Sequence, residues 1–328
     1  MSTTVALLTL ECHKSGAWIS KLVDSLHKLG EIEVILLPLE SLLQDPQLNH
    51  DSLRRATVLV NRVSDAASPH LVKGGLATLY QAELLGIRVF NGPRAYALCS
   101  NKWCHHVLFD KAQLQSPTTI RVRTPIGDGL DNQELKRLIE THFEDTVQNF
   151  LLKPNSGGFG TGIVQFRRAD ILTTTVPIYE DNIGLIQQYA SPQDGKIYRV
   201  WFLAGRVHCA VTRNVTDAAD DEFSQGCVGS SCSRQQQQEQ GSSDRTLQQT
   251  PRIQSYATPQ QVVDEIEQRL LPLIPDADAG SVEYLVNAKG QRLYFDLNLL
   301  STLPDTEAVD DIWGCDPWGE LATAILQK

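Results

Sequence analysis

Residues 151–163 read LLKPNSGGFGTGI, where a lysine ends an apolar run and glycines are dense just after it. A glycine-rich turn lets backbone N–H groups approach an anion with no Cβ atoms in the way, as phosphate-binding loops require. The same composition also occurs in tight hairpins, where glycine only supplies a positive φ. The stretch by itself therefore leaves two interpretations open, a phosphate-binding loop and a plain hairpin.

The composition is that of an ordinary globular protein with an acidic balance. The chain has 328 residues, of which 41% are hydrophobic and 21% charged, so it is long enough for about two or three compact units. Its formal net charge of −10 argues against a general nucleic-acid or anionic-membrane binder, because such binders need clustered Lys and Arg. We expect no nucleic acid and no membrane as partner, although a local basic pocket is compatible with this charge.

The seven cysteines are scattered, and the sequence contains no CxxC pair. That pattern predicts reduced thiols in the cytoplasm and not a disulfide framework. Cys227 and Cys232 lie close together but lack the usual zinc-ligand spacing and a second pair, so we expect no zinc there. The N-terminus has no signal-peptide pattern, and no apolar stretch approaches the ~20 residues of a membrane span, which also favours the cytoplasm.

Apolar strands and amphipathic helices alternate in the first part of the chain. Strands are predicted at 5–10, 33–37, 57–60 and 87–90, with helices at 16–29 and 71–85. Such alternation is typical of βαβ units around a parallel sheet, so residues 1–97 are predicted to form a Rossmann-like domain. No GxGxxG motif follows the first strand, which leaves a dinucleotide site without support.

The rest of the chain mainly predicts hairpins. Strands at 150–153 and 163–166 flank the glycine loop, and residues 197–213 predict a hairpin that turns at Ala204-Gly205. The other predicted elements are strands at 116–122, 184–190, 282–286 and 292–297 and helices at 101–114, 132–143, 259–273 and 318–326. Residues 217–256 are rich in Gln and Ser, and we expect a flexible surface insertion there.

Three oxygen-bearing side chains lie in the final predicted hairpin, SVEYLVNAKGQRLYFDLNLLS. Asp296 and Asn298 are two residues apart on one strand and so share a face, while Glu283 lies on the neighbouring strand. Burying such groups unpaired among apolar residues costs roughly 2–7 kcal/mol each, so we expect a bound ion or a nearby cation to offset this cost. Mg²⁺ prefers ligands of this kind, and an ion-pair network is the alternative.

In chain order, Lys102 in SNKW, Lys153 before the glycine loop, the strand LIQQYAS, the hairpin IYRVWFLAGRV and the VEYLV…YFDLN ending resemble the ATP-grasp superfamily. The resemblance covers most of the chain and is closest to the branch that contains ribosomal-protein glutamate ligases and glutathione synthetases. It implies an α/β (α+β) fold, in which a Rossmann-like domain at 1–97 precedes an ATP-grasp domain at 98–328. The second domain would contain a lid subdomain at about 116–190 and the insertion at 217–256.

The resemblance also implies ATP and Mg²⁺, with Mn²⁺ as an alternative ion, and it gives roles to individual residues. Those expected to contact ATP are Lys102, Lys153, Ser156, Gly157, Gly158, Phe159, Gly160, Gln187, Gln188, Tyr189 and Ala190. The expected metal ligands are Glu283, Asp296 and Asn298, and the expected catalytic residues, which face the transferred phosphate and the acyl substrate, are Arg199 and Arg213. The chain departs from the family's pattern at Gln188, where an acid is frequent, and at Ile197, where Asp is common. These departures concern the base and ribose contacts.

Several of these residues also have a simpler structural explanation. Without the resemblance, Lys102 is best explained as a helix-surface lysine, and Arg199 as a strand residue that extends into solvent. His105 and His106 are adjacent and face different sides of a helix, so both are interpreted as structural. Cys104 is predicted to be packed and not nucleophilic, since nothing near it suggests a lowered pKa.

The activity that the resemblance implies is ligation of a small-molecule carboxylate to an amine through an acylphosphate, driven by ATP. The alternatives are a ligase that adds amino acids to a protein and a non-catalytic ATP-binding regulator on the same fold, as in the synapsin family. The intact set of metal ligands argues against the regulator. Substrate pockets are expected along residues 11–16 and 61–66, where Arg62 is a candidate for a substrate carboxylate and equally for a surface salt bridge. The sequence is also compatible with a homodimer.

Overall fold

The computed structural model describes residues 3–64, 67–123, 131–158, 160–215, 253–305 and 308–327. Within these ranges the chain forms three β-sheets with helices packed against them. One sheet is parallel and the other two are antiparallel. The mixed α/β architecture expected from the sequence is therefore confirmed.

The parallel sheet has its four strands in the order β2-β1-β3-β4. These strands are β1 (Thr3–Thr9), β2 (Ile32–Pro38), β3 (Val58–Asn61) and β4 (Arg88–Phe90). Side chains of β1 alternate between two cores, with Ala6 and Leu8 facing one and Val5 and Leu7 facing the other. This burial on both faces explains why β1 is an uninterrupted apolar run in the sequence.

Helices cover both faces of the parallel sheet. The helix α1 (Ala17–Lys28) lies on one face and α4 (Pro69–Leu84) on the other; the sequence predicts both helices, at 16–29 and 71–85. The sequence analysis missed four shorter helices, which are α2 (Leu39–Gln44), α3 (Pro46–Arg55), α5 (Pro93–Cys99) and α9 (Asp310–Trp313). Helices this short present too few turns for a periodic apolar stripe to stand out.

The C-terminal helix α10 (Pro317–Leu326) packs beside α1, although it is far in sequence from the strands that it covers. Its residues Leu321 and Ile325 are buried in the core that β1 shares with α1. The rings of Trp18 and Trp318 meet edge to face at 5.7 Å. The parallel sheet thus uses a helix from the part of the chain that the sequence analysis places in the second domain.

A four-stranded antiparallel sheet carries the glycine loop. Its strands are β5 (Thr119–Arg123), β6 (Asn149–Pro154), β7 (Val164–Arg167) and β8 (Ile183–Gln188), in the order β5-β8-β6-β7. The helix α7 (Asn132–His142) covers one face through Leu135 and Ile139. Because β6 and β7 pair directly, the glycine loop is a hairpin connection, as predicted.

A five-stranded antiparallel sheet completes the fold, with the order β11-β10-β9-β12-β13. Its strands are β9 (Lys196–Leu203), β10 (Arg206–Asn214), β11 (Ile253–Ser255), β12 (Ala279–Val286) and β13 (Arg292–Asn298). The predicted turn at Ala204-Gly205 is confirmed, and both residues have positive φ. Val200, Phe202 and Val282 pack in one core with Leu108 and Phe109 of α6 (Lys102–Lys111).

Two predicted segments differ in detail from the structure. Most of the polar segment 217–256 lies outside the described residues, but its last residues belong to β11, which pairs with β10. The predicted helix at 259–273 begins as α8 (Gln260–Asp264), continues as a π-helix (Glu265–Leu270) and ends in a 3₁₀ turn (Leu271–Leu273). Pro272 within that final turn has no N–H to continue a regular helix.

Candidate active site

Three charged residues stand in one row across adjacent strands of the five-stranded sheet. Arg199 of β9 pairs in register with Glu283 of β12, which in turn pairs with Asp296 of β13. Arg199 Nε donates to Glu283 Oε1 at 2.5 Å, and the Glu283 side chain is 9% exposed. Arg199 is therefore an ion-pair partner in the protein and does not simply extend into solvent.

Asp296 is held by a buried histidine of α6. His105 Nδ1 lies 3.3 Å from Asp296 Oδ1, and His105 Nε2 donates to the carbonyl oxygen of Cys99 at 2.7 Å. Burial alone would raise the pKa of Asp296, but His105, Lys102 and Lys153 together hold it well below its usual range. Asp296 is thus a carboxylate in a cationic environment.

Lys153 is a buried lysine, 6% exposed, at the end of β6. Its Nζ donates to Gln187 Oε1 at 3.0 Å, and Gln187 Nε2 donates to Thr119 Oγ1 at 2.7 Å. Burial and then the charge of Lys102 lower the pKa of Lys153 to about 8, although Asp296 acts in the opposite direction. The ammonium group of Lys153 therefore has too little negative charge near it to offset its burial.

Lys102 is positioned by contacts between α6 and the end of β6. The amide of Lys102 donates to the carbonyl oxygen of Asn155 at 2.9 Å, and the amide of Trp103 donates to Asn155 Oδ1 at 3.0 Å. Asn101 caps the same helix through the amide of Cys104 at 3.1 Å. Lys102 Nζ reaches the carbonyl oxygen of Gly157 in the glycine loop.

The glycine loop uses its glycines for conformations that other residues rarely adopt. Gly157, Gly160 and Gly162 have φ of 116°, 71° and 76°. Ser156 Oγ donates to Asp181 Oδ2 at 2.8 Å, and the hydroxyl of Tyr179 donates to the carbonyl oxygen of Gly162 at 2.9 Å. Gly158 does not have a positive φ, and Phe159 lies outside the described residues.

In the segment expected to contact adenine, two backbone amides already donate to carbonyl oxygens of the protein. The amide of Gln188 donates to the carbonyl oxygen of Thr118 at 2.8 Å, and that of Tyr189 to the carbonyl oxygen of Asn149 at 3.0 Å. The side chains of Gln188, Tyr189 and Ala190 are partly exposed, whereas Gln187 is buried against Lys153.

Arg213 and Asn298 lie near the charged row. Val211 pairs with Arg199 across β10 and β9, so Arg213, two residues further on, faces the same side of the sheet. Its half-buried guanidinium makes no hydrogen bond or ion pair within the ranges that the structure describes. Asn298 Oδ1 accepts from the amide of Leu300 at 2.7 Å, which fixes the chain where β13 ends.

A small cavity lies between the parallel sheet and the five-stranded sheet, with a volume of about 30 Å³. Four polar atoms of its lining residues are buried without a hydrogen-bond partner among the described residues, namely Trp18 Nε1, Asn61 Nδ2, Trp201 Nε1 and Ser301 Oγ. All four carry a hydrogen that they can donate. Arg62 also lines the cavity, and its guanidinium lies 4.2 Å from the centre of the Trp18 ring.

The structure thus brings Lys102, Lys153, Gln187, Arg199, Glu283 and Asp296 into one connected set of contacts and charges. The sequence analysis missed the roles of Asn155 and Thr119 and assigned His105 no contact with Asp296. No local pattern indicates these contacts, because each joins elements that are distant in sequence. Burial raises the pKa of the Cys104 thiol, in line with a packed cysteine.

Comparison with known proteins identifies the fold. No protein-family signature and no curated protein sequence matches the chain. Among solved structures, the D-cycloserine synthetase DcsG matches with a TM-score of 0.67 at 12% identity, covering 98% of each chain. The ATP-grasp ligase PsnB, complexed with a minimal precursor, matches with a TM-score of 0.65 at 15% identity, covering 99% of each chain. A D-alanine–D-alanine ligase from Bacillus anthracis, complexed with ATP, matches with a TM-score of 0.63 at 11% identity, over 100% of this chain and 96% of that one.

These matches define the class of fold: the chain has the ATP-grasp fold over nearly its whole length. At identities this low the likeness concerns the fold, and the activity has to be argued from the site. No helix within the described ranges is long and apolar enough to cross a membrane.

Proposed function

We propose that this protein is an ATP-dependent ligase that joins a carboxylate to an amine and releases ADP and phosphate. The observation that carries the proposal is the meeting of cations and acids at one place. The charges of Lys102 and Lys153 both act on Asp296, which stands opposite Glu283 in the sheet. Two cations beside two carboxylates suit a nucleotide, whose phosphates need the lysines and whose bound ion needs the acids.

ATP would bind with its phosphates at Lys102 and Lys153. The shortage of negative partners that lowers the pKa of Lys153 is a reason for this assignment, because a phosphate would relieve it. The glycine loop of residues 155–162 would close over the phosphates, with Lys102 already contacting the carbonyl oxygen of Gly157. The adenine would lie along residues 187–190, where it must use groups other than the amides of Gln188 and Tyr189.

Glu283, Asp296 and Asn298 would hold Mg²⁺, with Mn²⁺ as an alternative. Like charges directly opposite each other in a sheet are destabilising. In this structure Glu283 pairs with Arg199, and Asp296 lies 3.3 Å from His105 Nδ1 and is influenced by the charges of Lys102 and Lys153. The oxygen donors of the three side chains fit a hard cation, and Asn298 Oδ1 keeps a second lone pair. When bound, Mg²⁺ would neutralise charge on the phosphates.

The chemistry follows from the weakness of a carboxylate as an acylating agent. A carboxylate oxygen attacks the γ-phosphorus of ATP, the bond from that phosphorus to ADP breaks, and an acylphosphate forms. The amine nitrogen then attacks the acyl carbon, the C–N bond forms, phosphate leaves and the amine loses a proton. Arg213, with no partner among the described residues, would stabilise the transferring phosphate together with Arg199, whose guanidinium pairs with Glu283 in this structure. The closed loop would exclude water, which would otherwise hydrolyse the acylphosphate.

The cavity between the two sheets would receive a polar end of a substrate. A cavity needs roughly 10–15 Å³ to hold one water, so its volume of about 30 Å³ suits a group of carboxylate size. Its four unpartnered donors and Arg62 all favour an acceptor with negative charge. We therefore assign the region around Arg62 to binding of a substrate carboxylate.

The nature of the amine acceptor separates two versions of this function. PsnB is complexed with a precursor peptide, whereas DcsG is a D-cycloserine synthetase. Small-molecule substrates agree with the small cavity, and a protein acceptor is the second version. A homodimer is compatible with either version, and a cytoplasmic location is part of the proposal.

The proposal is tested by ADP release from ATP and Mg²⁺ in a screen of carboxylic acids and amino acids, followed by mass spectrometry of the products. We expect ADP release that depends on an added carboxylate, together with a product whose mass equals acid plus amine minus water. ATP binding without carboxylate-dependent ADP release would support the non-catalytic regulator. A mass increase on a protein, and not on a small amine, would identify the protein-modifying ligase.

A further inference from the structure

A histidine and two cysteines meet away from the residues assigned to ATP and Mg²⁺. One ring nitrogen of His208 and the sulfur atoms of Cys209 and Cys315 all lie within 4.8 Å of one another. His208 and Cys209 belong to β10, and Cys315 lies just before α10. Among the described residues, this is the only group of three or more His, Cys, Asp or Glu side chains close enough to share an ion.

A β-bulge brings the two consecutive residues of β10 to one side. Val207 pairs with Phe202 and Cys209 with Trp201, which leaves His208 as an extra residue in the strand. Neighbouring side chains on a regular strand point to opposite faces, whereas a bulge can re-aim one of them. The bulge therefore explains how His208 and Cys209 come to face a common point.

His208 is arranged as a neutral ligand. Its side chain is 8% exposed, and burial lowers its pKa, although Glu320 and Asp316 act in the opposite direction. Nδ1 lies 3.2 Å from Glu320 Oε2, so Nδ1 carries the proton and donates it to that carboxylate. Nε2 is buried and has no hydrogen-bond partner among the described residues, which leaves its lone pair available. A carboxylate that orients a ligating histidine in this way is a common feature of metal sites.

The two thiols complete a soft ligand set. Cys209 is fully buried in an apolar cluster with Trp201 and Val211, and Cys315 packs against the same cluster. Burial raises the pKa of both thiols, so without an ion they remain protonated. A coordinating ion deprotonates such thiols, and Zn²⁺ is the ion that prefers a small tetrahedral set of sulfur and imidazole ligands.

We propose that His208 Nε2 and the sulfur atoms of Cys209 and Cys315 bind a Zn²⁺ ion, with a water molecule as the fourth ligand. Binding releases the two thiol protons to solvent and involves no change of oxidation state. Because Cys315 lies just before Asp316, the N-cap of α10, and the other two ligands belong to β10, the ion would tie this helix to the five-stranded sheet. The ion would be independent of the proposed ligase chemistry, because none of its ligands is among the residues assigned to ATP and Mg²⁺.

The test uses the full chain, purified with a reducing agent, stripped with a chelator and titrated with Co²⁺ and then Zn²⁺. We expect one Co²⁺ per chain with thiolate-to-cobalt charge-transfer absorption, which Zn²⁺ abolishes by displacement. Zn²⁺ should also raise the Tm, because a ligand that binds only the folded state stabilises it. His208→Ala, Cys209→Ser and Cys315→Ser should each lose the absorption, whereas Cys12→Ser, which changes an exposed thiol elsewhere, should keep it.

A second variant keeps the proposal testable if a ligand substitution prevents folding. Glu320→Gln retains all three ligands at a half-exposed position and should weaken Zn²⁺ affinity by roughly 10–100-fold. Absence of thiolate-to-cobalt absorption in the wild-type protein would overturn the proposal. Equal Zn²⁺ affinity in a variant lacking all three ligands would also overturn it, as would a Cys209–Cys315 disulfide that persists after reduction. Carboxylate-dependent ADP release is measured separately, so its outcome and that of the zinc titration are distinguishable.

Discussion

Asp296 links the acidic residues of the candidate site to its lysines. It faces Glu283 across the sheet, contacts His105 and feels the charges of Lys102 and Lys153. We expect Asp296→Asn to lower kcat by roughly 100-fold or more, because loss of a positioned charge in an active site has effects of this size. The measurement is ADP release at saturating Mg²⁺. Asp24→Asn, at an exposed position of α1, is the matched control and should keep full activity. Full activity of Asp296→Asn in a folded protein would remove the metal assignment.

The pKa of Lys153 predicts the direction in which ATP affinity changes with pH. Its pKa of about 8 in the ligand-free protein means that it loses its charge as the pH rises through 8. Phosphate binding favours the charged amine, so above this pH the protein must take up a proton to bind ATP. We expect ATP affinity to fall by up to about tenfold per pH unit above 8, since one pKa unit corresponds to about 1.4 kcal/mol.

Calorimetry of ATP binding from about pH 7 to pH 10 measures this effect. Lys153→Ala should bind ATP weakly and with little dependence on pH, because the titrating amine is gone. Lys136→Ala removes an exposed lysine of α7 that pairs with Glu140 at the surface, so it should retain the wild-type pH profile. A wild-type profile in Lys153→Ala would show that another group titrates.

At the level of elements, the sequence predicted those whose pattern is local and repeated. The hairpins β6–β7, β9–β10 and β12–β13 were predictable because alternating apolar runs flank glycine turns. His105 and His106 face different sides of α6, as their adjacency predicts, since His106 Nδ1 contacts Ser116 Oγ at 2.9 Å and His105 contacts Asp296; the contact with Asp296 itself was not predicted. What the pattern could not reveal is the register that places Arg199, Glu283 and Asp296 in one row, because register depends on pairing between distant strands.

The junction between β6 and α6 is the element-level contact that positions both lysines. Asn155 Oδ1 accepts from the amide of Trp103, so Asn155→Ala should cost about 1 kcal/mol, as for loss of a helix cap, and should also weaken ATP binding through Lys102. Asn155→Asp keeps the acceptor and should restore stability. The measurements are urea unfolding and calorimetry of ATP binding. Loss of stability with unchanged ATP affinity would mean that Asn155 stabilises α6 but does not position Lys102 for ATP binding.

At the level of the whole molecule, α10 is the least predictable part of the architecture. Its periodicity predicts a helix, but nothing local indicates that it covers the parallel sheet at the other end of the chain. The bulge in β10 is hidden in the sequence for the same reason, since the strand pattern alone does not show where an extra residue is inserted.

The packing of α10 has a measurable effect on stability. Leu321 is 5% exposed in the core that β1 shares with α1, so Leu321→Ala should destabilise the protein by about 2–5 kcal/mol. Leu84 is 88% exposed, and Leu84→Ala is the matched control, expected to change stability by less than about 0.5 kcal/mol. Urea unfolding compares the two variants. Equal stability of both would mean that α10 does not contribute to the core of the sheet.

The joining of β1 and α10 in one core also has a consequence for protein synthesis. The core that β1 shares with α1 remains without α10 until residues 317–326 have emerged from the ribosome, long after β1 and α1 have been made. Nascent chains stalled before Trp318 should be cut by protease within α1, and released chains should resist cleavage there. Protection of the stalled chain would indicate that α1 and the sheet fold without their last partner.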